Sequence, residues 1–412
     1  MAKHDVIAGL DMGSGRVNCL LGTAESDGRI RVLGGSSVPC RGLKGGVVIN
    51  LVETSSAVTQ AVEEAEASAK QTVNGVYLGV RGTHLQSFNN RGAFNIARTD
   101  KEITAEDVQS VVGNAKAIPL STDREILHVL PQGFSLDRQR GVPHPVGMEG
   151  SLLEVEVHIV TASAAHLNNI IKTVAQAGFQ VIEPVYGMIA AGDMLVTPEE
   201  KELGALLVDF GGQSISLGIY TEGSIRYSKE LPIGSDFITR DLAVGLRTSL
   251  LTAEKIKMQH GIAHPSLLNG DEDIDFRGVD GRSPQTIKTS TMMNIILPRV
   301  EEIFSLIEEE LQASTYSDVV VPGGLILTGG GSLMRGTIQA AEQILKVPVR
   351  LGVAHPDQVV AEEQWLTPTF STALGLLTYS RQMRYGVTLS RDAGRKKPVW
   401  MRKLTAVFED LF

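Results

Sequence analysis

Cysteine is scarce in this chain: Cys19 and Cys40 are the two in 412 residues. So few in so long a chain fits a reducing cytosol better than a disulfide framework, and leaves a single Cys19–Cys40 bond open. No run of about 18 consecutive apolar residues occurs, which excludes a membrane-spanning helix. The first residues, MAKHDVIAGLDMG, lack a long apolar region followed by a cleavage site, so no signal peptide is expected. Basic charge is in the minority. The formal net charge is −9, which argues against a nucleic-acid partner, because phosphate binding needs clustered positive charge. The pattern G-x-x-x-x-G-K followed by Ser or Thr is absent, so a P-loop is not supported. Low-complexity tracts are also missing, so the glycines serve turns and loops.

What remains is ordinary globular composition, 42% hydrophobic and 21% charged, at a length that suggests roughly two to four domain-sized units. The charge is uneven. Residues 381–412 hold eight Lys/Arg and three Asp/Glu, a net of +5, which leaves −14 for the rest of the chain.

Three stretches carry chemistry. In VIAGLDMGSGRVNCLLG (residues 6–22) an apolar run ends in Asp11, a Gly13-Ser14-Gly15 turn follows with Arg16, and a second apolar run returns. This pattern predicts a β-hairpin with a carboxylate at its mouth. The glycines let backbone N–H groups approach a bound anion. In ALLVDFGGQSISLGIYTEG (residues 205–223) the pattern repeats with Asp209, Gly211, Gly212 and Gln213. The two segments read as an internal repeat about 200 residues apart. Facing each other, they would clamp phosphates with N–H groups and hold a hydrated divalent cation with Asp11 and Asp209. Mg²⁺ suits such a site because it keeps its waters. In GGLILTGGGSLMRG (residues 323–336) a buried strand runs into Gly329, Gly330 and Gly331, with a helix expected to start near Ser332. Bare backbone there admits a base or a phosphate, and a helix N-terminus adds favourable partial charge.

The order hairpin, hairpin, glycine turn resembles the two phosphate motifs and the adenosine motif of the superfamily of actin, sugar kinases and heat-shock chaperone ATPases. GFQVIEPVYGMIAAGDML resembles that superfamily's first connecting helix, and the resemblance implies that Glu183 helps orient an attacking water, with Asp209 as its catalytic companion. SLLTAEKIKMQHG resembles the helix whose side chains contact ribose and base, which places Glu254 and Lys257 at those contacts. Within the superfamily the chain resembles the bacterial cell-division family FtsA over essentially its whole length. The carrying features are LPIGSDFITRDLAVGL (231–246), the strand-helix-strand-strand pattern of residues 84–162, the absence of an appended peptide-binding domain, and the tail. There are departures. Asn18 stands where actin has a lysine reaching the phosphates, and Gln213 stands where a Thr or Gly is more usual. Both suit binding and slow or conditional turnover better than fast hydrolysis.

The resemblance implies an α/β, actin-like two-lobed ATPase fold built from duplicated ribonuclease-H-like domains. Subdomain 1A is expected at 1–83 and 163–200, an inserted subdomain 1C at 84–162, subdomain 2A at 201–245 and 313–380, and subdomain 2B at 246–312. A flexible linker (381–398) and an amphipathic helix (399–412) would follow. The polar stretch HPSLLNGDEDIDFRGVDGRSP in 2B is expected to be a solvated loop or hairpin. Val300, Ile303, Phe304, Ile307 and Leu311 have helical spacing and read mostly as core. ATP and Mg²⁺ are the implied cofactors. The implied partners are the C-terminal peptide of FtsZ on 2B, other division proteins on 1C, further copies of the chain in a filament, and anionic membrane lipids.

On a helix, Trp400, Met401, Leu404, Val407, Phe408, Leu411 and Phe412 fall in one arc of about 140°. Fourteen residues at about 1.5 Å each span roughly 21 Å, too short for about 30 Å of hydrocarbon. The helix would therefore lie in the interface, with Arg395, Lys396 and Lys397 attracted to anionic lipid and Glu409 and Asp410 opposing. The alternative is a helix docked on the chain's own core. The expected function is an ATP-binding, polymerising adaptor at the cytoplasmic face of the bacterial inner membrane, tethering FtsZ at the division site. A related ATPase of pilus machinery, acting on protein partners, is the alternative, and a small-molecule kinase is a third class.

Overall fold

The computed structural model describes residues 6–385. The chain opens with three antiparallel strands, β1 (Ile7–Met12), β2 (Arg16–Ala24) and β3 (Ile30–Pro39), and a small hairpin of β4 (Leu43–Lys44) and β5 (Val47–Val48). Helix α1 (Leu51–Ala69) starts where the Asn50 side chain accepts the Glu53 N–H, and it ends at Lys70 in the left-handed region. Its buried Thr54, Ala57, Val58, Ala61, Val62 and Ala65 recur every three or four residues and form one face. Strand β6 (Gly75–Val80) returns parallel to β1.

The chain then leaves this sheet. Strand β7 (Leu85–Asn95), helix α2 (Ala105–Lys116) and strands β8 (Arg124–Leu136), β9 (Gln139–Val142) and β10 (Leu152–Ser163) build a separate four-stranded sheet in the order β7-β10-β8-β9. Thr104 and Asp107 cap α2 reciprocally. Val108, Val111 and Val112 of α2 pack on Leu153, Val155 and Val157 of β10 in a core of their own. The short β9 is one strand more than the sequence pattern indicates.

Helix α3 (Ala164–Gln176) leads to β11 (Gln180–Tyr186), parallel beside β6, and α4 (Gly187–Leu195) and α5 (Pro198–Leu203) lead to the second half. There β12 (Ala205–Phe210), β13 (Ile215–Thr221) and β14 (Ser224–Leu231) repeat the antiparallel meander. Next come α6 (Ser235–Gly245), α7 (Leu250–His260), a hairpin of β15 (Asp273–Arg277) and β16 (Pro284–Lys288), α8 (Thr289–Ala313) and α9 (Ser317–Gly323). Strand β17 (Leu325–Thr328) then pairs parallel with β12, and after α10 (Thr337–Leu345) strand β18 (Val349–Leu351) pairs parallel with β17. The strand orders β3-β2-β1-β6-β11 and β14-β13-β12-β17-β18 are the same arrangement twice. On α8, Val300, Ile303, Phe304 and Ile307 are fully buried and Leu311 partly so.

At the chain's end β19 (Val359–Val360) pairs with β3, and α11 (Ser371–Tyr385) packs on β1, β2, β6 and α4 of the first half. Glycines make room for the helix. A Cβ at Gly9 would lie 2.6 Å from the Ala373 carbonyl oxygen, and one at Gly375 would lie 2.0 Å from that of Ala190. Cys19 and Cys40 are both buried and free.

Candidate functional site

Each hairpin carries its aspartate next to last in a wholly buried strand. Asp11 pairs in register with Asn18, and Asp209 with Ser216. The parallel neighbours put Gly79 beside Asp11 and Thr328 beside Asp209. Both carboxylates thus stand at the carboxyl ends of parallel strands, where open α/β sheets gather ligands.

A guanidinium joins them. Arg81, one residue past β6, donates from Nη2 to Asp11 Oδ1 at 2.8 Å and to Thr372 Oγ1 at 2.9 Å, and its Nη1 lies 3.2 Å from Asp209 Oδ2. The side chains of Arg81, Asp11 and Asp209 are 11%, 4% and 6% exposed. Burial raises the Asp11 carboxyl above its ordinary range, against the pull of Arg81. For Arg81, burial opposes its charge, but Asp11, Asp209 and Glu230 outweigh it and hold the group above its usual value. Asp209 Oδ1 and Arg81 Nε are buried without a partner among the described residues.

Glu230 on β14 adds a third carboxylate. Its Oε2 accepts the Gly82 N–H at 2.9 Å. Burial pushes it up to about 7, with Ser216, the Gly82 N–H, Tyr186 and Arg81 acting the other way.

Glycine turns wall the cluster. Gly13 N–H donates to the Arg16 carbonyl, and Gly211 N–H to that of Ser214. Gly329, at φ +81, is pressed so close that a Cβ would lie 2.3 Å from Asp209 Oδ1, and a Cβ at Gly331 would lie 2.6 Å from the Phe210 ring. Around Gly330 there is open space within 4 Å. The helix expected near Ser332 is instead a 3₁₀ turn over Gly330–Leu333, in which Ser332 Oγ donates to the Gly329 carbonyl at 2.6 Å. The α-helix begins at Thr337, because Gly336 at φ +87 breaks the backbone first.

The remaining sequence-predicted residues divide. Gln213 bridges the halves: its Oε1 accepts the Gly45 N–H at 3.1 Å, and its Nε2 donates to Asp236 Oδ2 at 3.0 Å. Ser14 and Gly15 lie in the first turn, and Arg16 folds back to donate to Ser37 Oγ at 2.7 Å. Asn18 donates to the Thr369 carbonyl at 3.1 Å. Lys257 pairs with Glu254 at 2.8 Å and donates to the Ser235 carbonyl at 3.1 Å. The Ser235 N–H in turn donates to the Gly211 carbonyl, which ties this pair to the second turn.

Glu183 stands apart. It lies within β11, before α4, and accepts the Tyr379 hydroxyl at 3.1 Å. Tyr379 is seven residues along α11 from Thr372, about 10 Å at the helical rise. Trp400, Met401, Leu404, Val407, Phe408, Leu411 and Phe412 lie outside the described residues.

Among the described residues no group of three or more His, Cys, Asp or Glu could ligate a metal directly. Two facing carboxylates with one orphaned oxygen do fit a hydrated divalent cation, held through water. Sequence reasoning missed Arg81, Thr372 and Glu230. The available signal for Arg81 was a lone basic residue in GVRGTH, directly after a strand.

Comparison with known proteins gives consistent matches. Residues 206–375 match the family described as "Cell division protein FtsA", and residues 82–161 match "SHS2 domain inserted in FTSA". The cell division protein FtsA of Pseudomonas aeruginosa is 37% identical over 377 residues, 92% of this chain and 89% of that protein. FtsA of Escherichia coli K12 is 32% identical over 414 residues, 97% of each chain. Among solved structures, the PilM–PilN type IV pilus biogenesis complex aligns at TM-score 0.66 and 17% identity, covering 90% of this chain and 98% of that one. MreB 5 of Spiroplasma citri bound to AMPPNP aligns at 0.57 and 12%, covering 93% and 98%. At these identities the structural matches speak to fold alone.

Proposed function

The chain belongs to the FtsA family of cell-division proteins and has an α/β, actin-like ATPase fold with an inserted SHS2 domain; from this we propose that it binds ATP with Mg²⁺ between its halves and links FtsZ to the membrane. The observation that carries the nucleotide reading is the meeting of Asp11 and Asp209, one from each repeat, inside a wall of glycine turns. In this reading the turns at Gly13–Arg16 and Gly211–Gln213 offer backbone N–H groups to phosphates. The Gly329–Ser332 turn receives the adenosine, and Glu254 and Lys257 border the ribose. Mg²⁺, when bound, neutralises phosphate charge. Asp11 and Asp209 hold its waters. Asp209 Oδ1, buried and unpartnered, is the acceptor best prepared for one. Hydrolysis is read as slow or conditional, because Glu183 is engaged by Tyr379 some two helical turns from Thr372.

Nucleotide joining the halves would bias a polymerising surface, since a ligand shifts a conformational equilibrium only by its differential affinity. The further parts of the proposal are filament assembly, FtsZ peptide binding at 246–312, division partners at 84–162, and shallow insertion of 399–412 into anionic lipid at the cytoplasmic face. Among the described residues no helix is long and apolar enough to cross a membrane. Many tails on one filament would hold far more firmly than one. The subdomain limits, 1–83 with 163–200, 84–162, 201–245 with 313–380, and 246–312, belong to the same proposal. The pilus alternative loses ground, since the FtsA relatives are 32–37% identical and the pilus structure 17%.

Co-sedimentation with liposomes, with and without residues 391–412 and with and without ATP, tests the whole reading. Lipid-bound assembly that needs both is expected. Unchanged lipid binding after truncation would sink the anchor, and unaltered Mg-ATP affinity in Asp209→Ala would sink the cleft.

A further inference from the structure

We propose that Arg81 is a built-in cation of the cleft. It bridges Asp11 Oδ1 and Asp209 Oδ2, leaves Asp209 Oδ1 to a hydrated cation, and lets the phosphates of a nucleotide bind with little dependence on Mg²⁺. The proposal rests on the reading of this cleft as a nucleotide site and adds what sets its metal requirement.

Two facing carboxylates alone would repel a polyphosphate. They need positive charge between them before any anion can enter a site so removed from solvent. Here a guanidinium already touches both carboxylates, at 2.8 and 3.2 Å. It cannot lose its proton, so its charge is permanent.

The backbone that carries Arg81 is held closely. A Cβ at Gly46, φ +81, would lie 2.0 Å from the Arg81 carbonyl oxygen, and one at Gly82, φ +110, would lie 2.3 Å from that of Gly45. Gly82 is tied to Glu230, and Gly45, in the β4–β5 turn that packs on Arg81 and Gly82, is tied to Gln213, so the second half holds both the segment and the turn against it. Its Nη1 lies 3.8 Å from where a Gly211 Cβ would be, beside the turn read as the second phosphate loop. A guanidinium has five donor hydrogens. Here Nε is buried and has no acceptor among the described residues. An incoming phosphate oxygen supplies acceptors in the fork geometry that arginine prefers.

The test is equilibrium binding of a fluorescent N-methylanthraniloyl ATP to the full-length protein, in excess Mg²⁺ and in EDTA. For the wild type, removal of Mg²⁺ is expected to weaken binding by less than about tenfold, or about 1.4 kcal/mol. Arg81→Met is expected to bind in Mg²⁺ but to lose at least about a hundredfold in EDTA, because Mg²⁺ is then the sole cation. Arg81→Lys keeps the charge and is expected to stay near the wild-type ratio. A wild-type loss of a hundredfold or more overturns the proposal without recourse to any variant, and so do equal Mg²⁺-to-EDTA ratios in wild type and Arg81→Met. If Arg81→Met does not fold, the wild-type and Arg81→Lys ratios decide alone. Wild type that fails to bind the probe even in Mg²⁺ overturns the nucleotide reading itself, a result distinct from normal binding with an unchanged ratio.

Discussion

The hairpins β1–β2 and β12–β13 share first-strand length, register, aspartate position and a parallel neighbour, yet they differ in what stands beside the aspartate. In the first half the row across three strands is Asp11, Asn18, Ser37; in the second it is Asp209, Ser216, Glu230. Beyond Asp11 the first row is closed by a hydroxyl and an amide: Ser37 Oγ donates to Asn18 Oδ1 at 2.6 Å and accepts from Arg16 Nε at 2.7 Å. The second has two carboxylates and leaves Asp209 Oδ1 without a partner. One cation, from the first half, serves both rows. Duplication repeats the backbone, whereas the electrostatics is completed only across the pair.

The comparison breaks most severely at Arg81. Arg81→Met leaves two buried carboxylates facing each other and is expected to cost about 3–5 kcal/mol in urea unfolding. Adding Asp11→Asn should recover part of this. If the single variant unfolds like the wild type, the halves do not share the arginine.

Glu230 sharpens the contrast with Ser37 through pH. Its carboxyl titrates near 7 in the fold against 4.5 as a free side chain. Between those values the folded state binds more proton than the unfolded, so the contribution of Glu230 is intact below about 4.5 and lost as pH rises through about 7. Glu230→Gln should therefore gain on the wild type by about 3 kcal/mol from pH 4.5 to pH 8. The buried His84 and His158, both lowered to about 4, tilt stability the other way. They cancel in the difference between the two proteins. A flat difference curve would count against a buried, protonated Glu230.

Gly9 is the first-half counterpart of Leu207, and only the first half admits a helix backbone there. Gly9→Ala, driven against the Ala373 carbonyl, should lose about 1–3 kcal/mol by thermal unfolding. No loss would mean that α11 docks more loosely than its geometry implies. The smallest effect is expected at Ser37→Ala, which removes the hydroxyl cap on Asn18 and should cost about 0.5–1.5 kcal/mol. A larger loss there would show that the Arg16 contact on Ser37 contributes more than an ordinary hydroxyl hydrogen bond.

Much of this was legible in the chain itself. Strand alternation and glycine placement are local, so both hairpins and the triple-glycine turn could be read from their own residues. The alternating insert and the buried stripe of α8 were legible for the same reason. Two local readings failed at their edges. Glu183 falls inside a strand and not on a helix, and the α-helix after Gly331 waits until Thr337. In both places a short apolar or glycine-rich run fits more than one element, and packing decides between them.

The sequence by itself therefore determined the duplicated elements, the two aspartates and the bare turns, because each depends on neighbours within a few residues. Only the tertiary structure decided that Arg81 from the end of β6, Thr372 from a helix that crosses back, and Glu230 from the far strand meet at those aspartates. Parallel pairing and the return of α11 join residues 70 to about 290 positions apart. A lone arginine after a strand carries no local mark of that meeting, because its partners are set by the burial of apolar faces elsewhere.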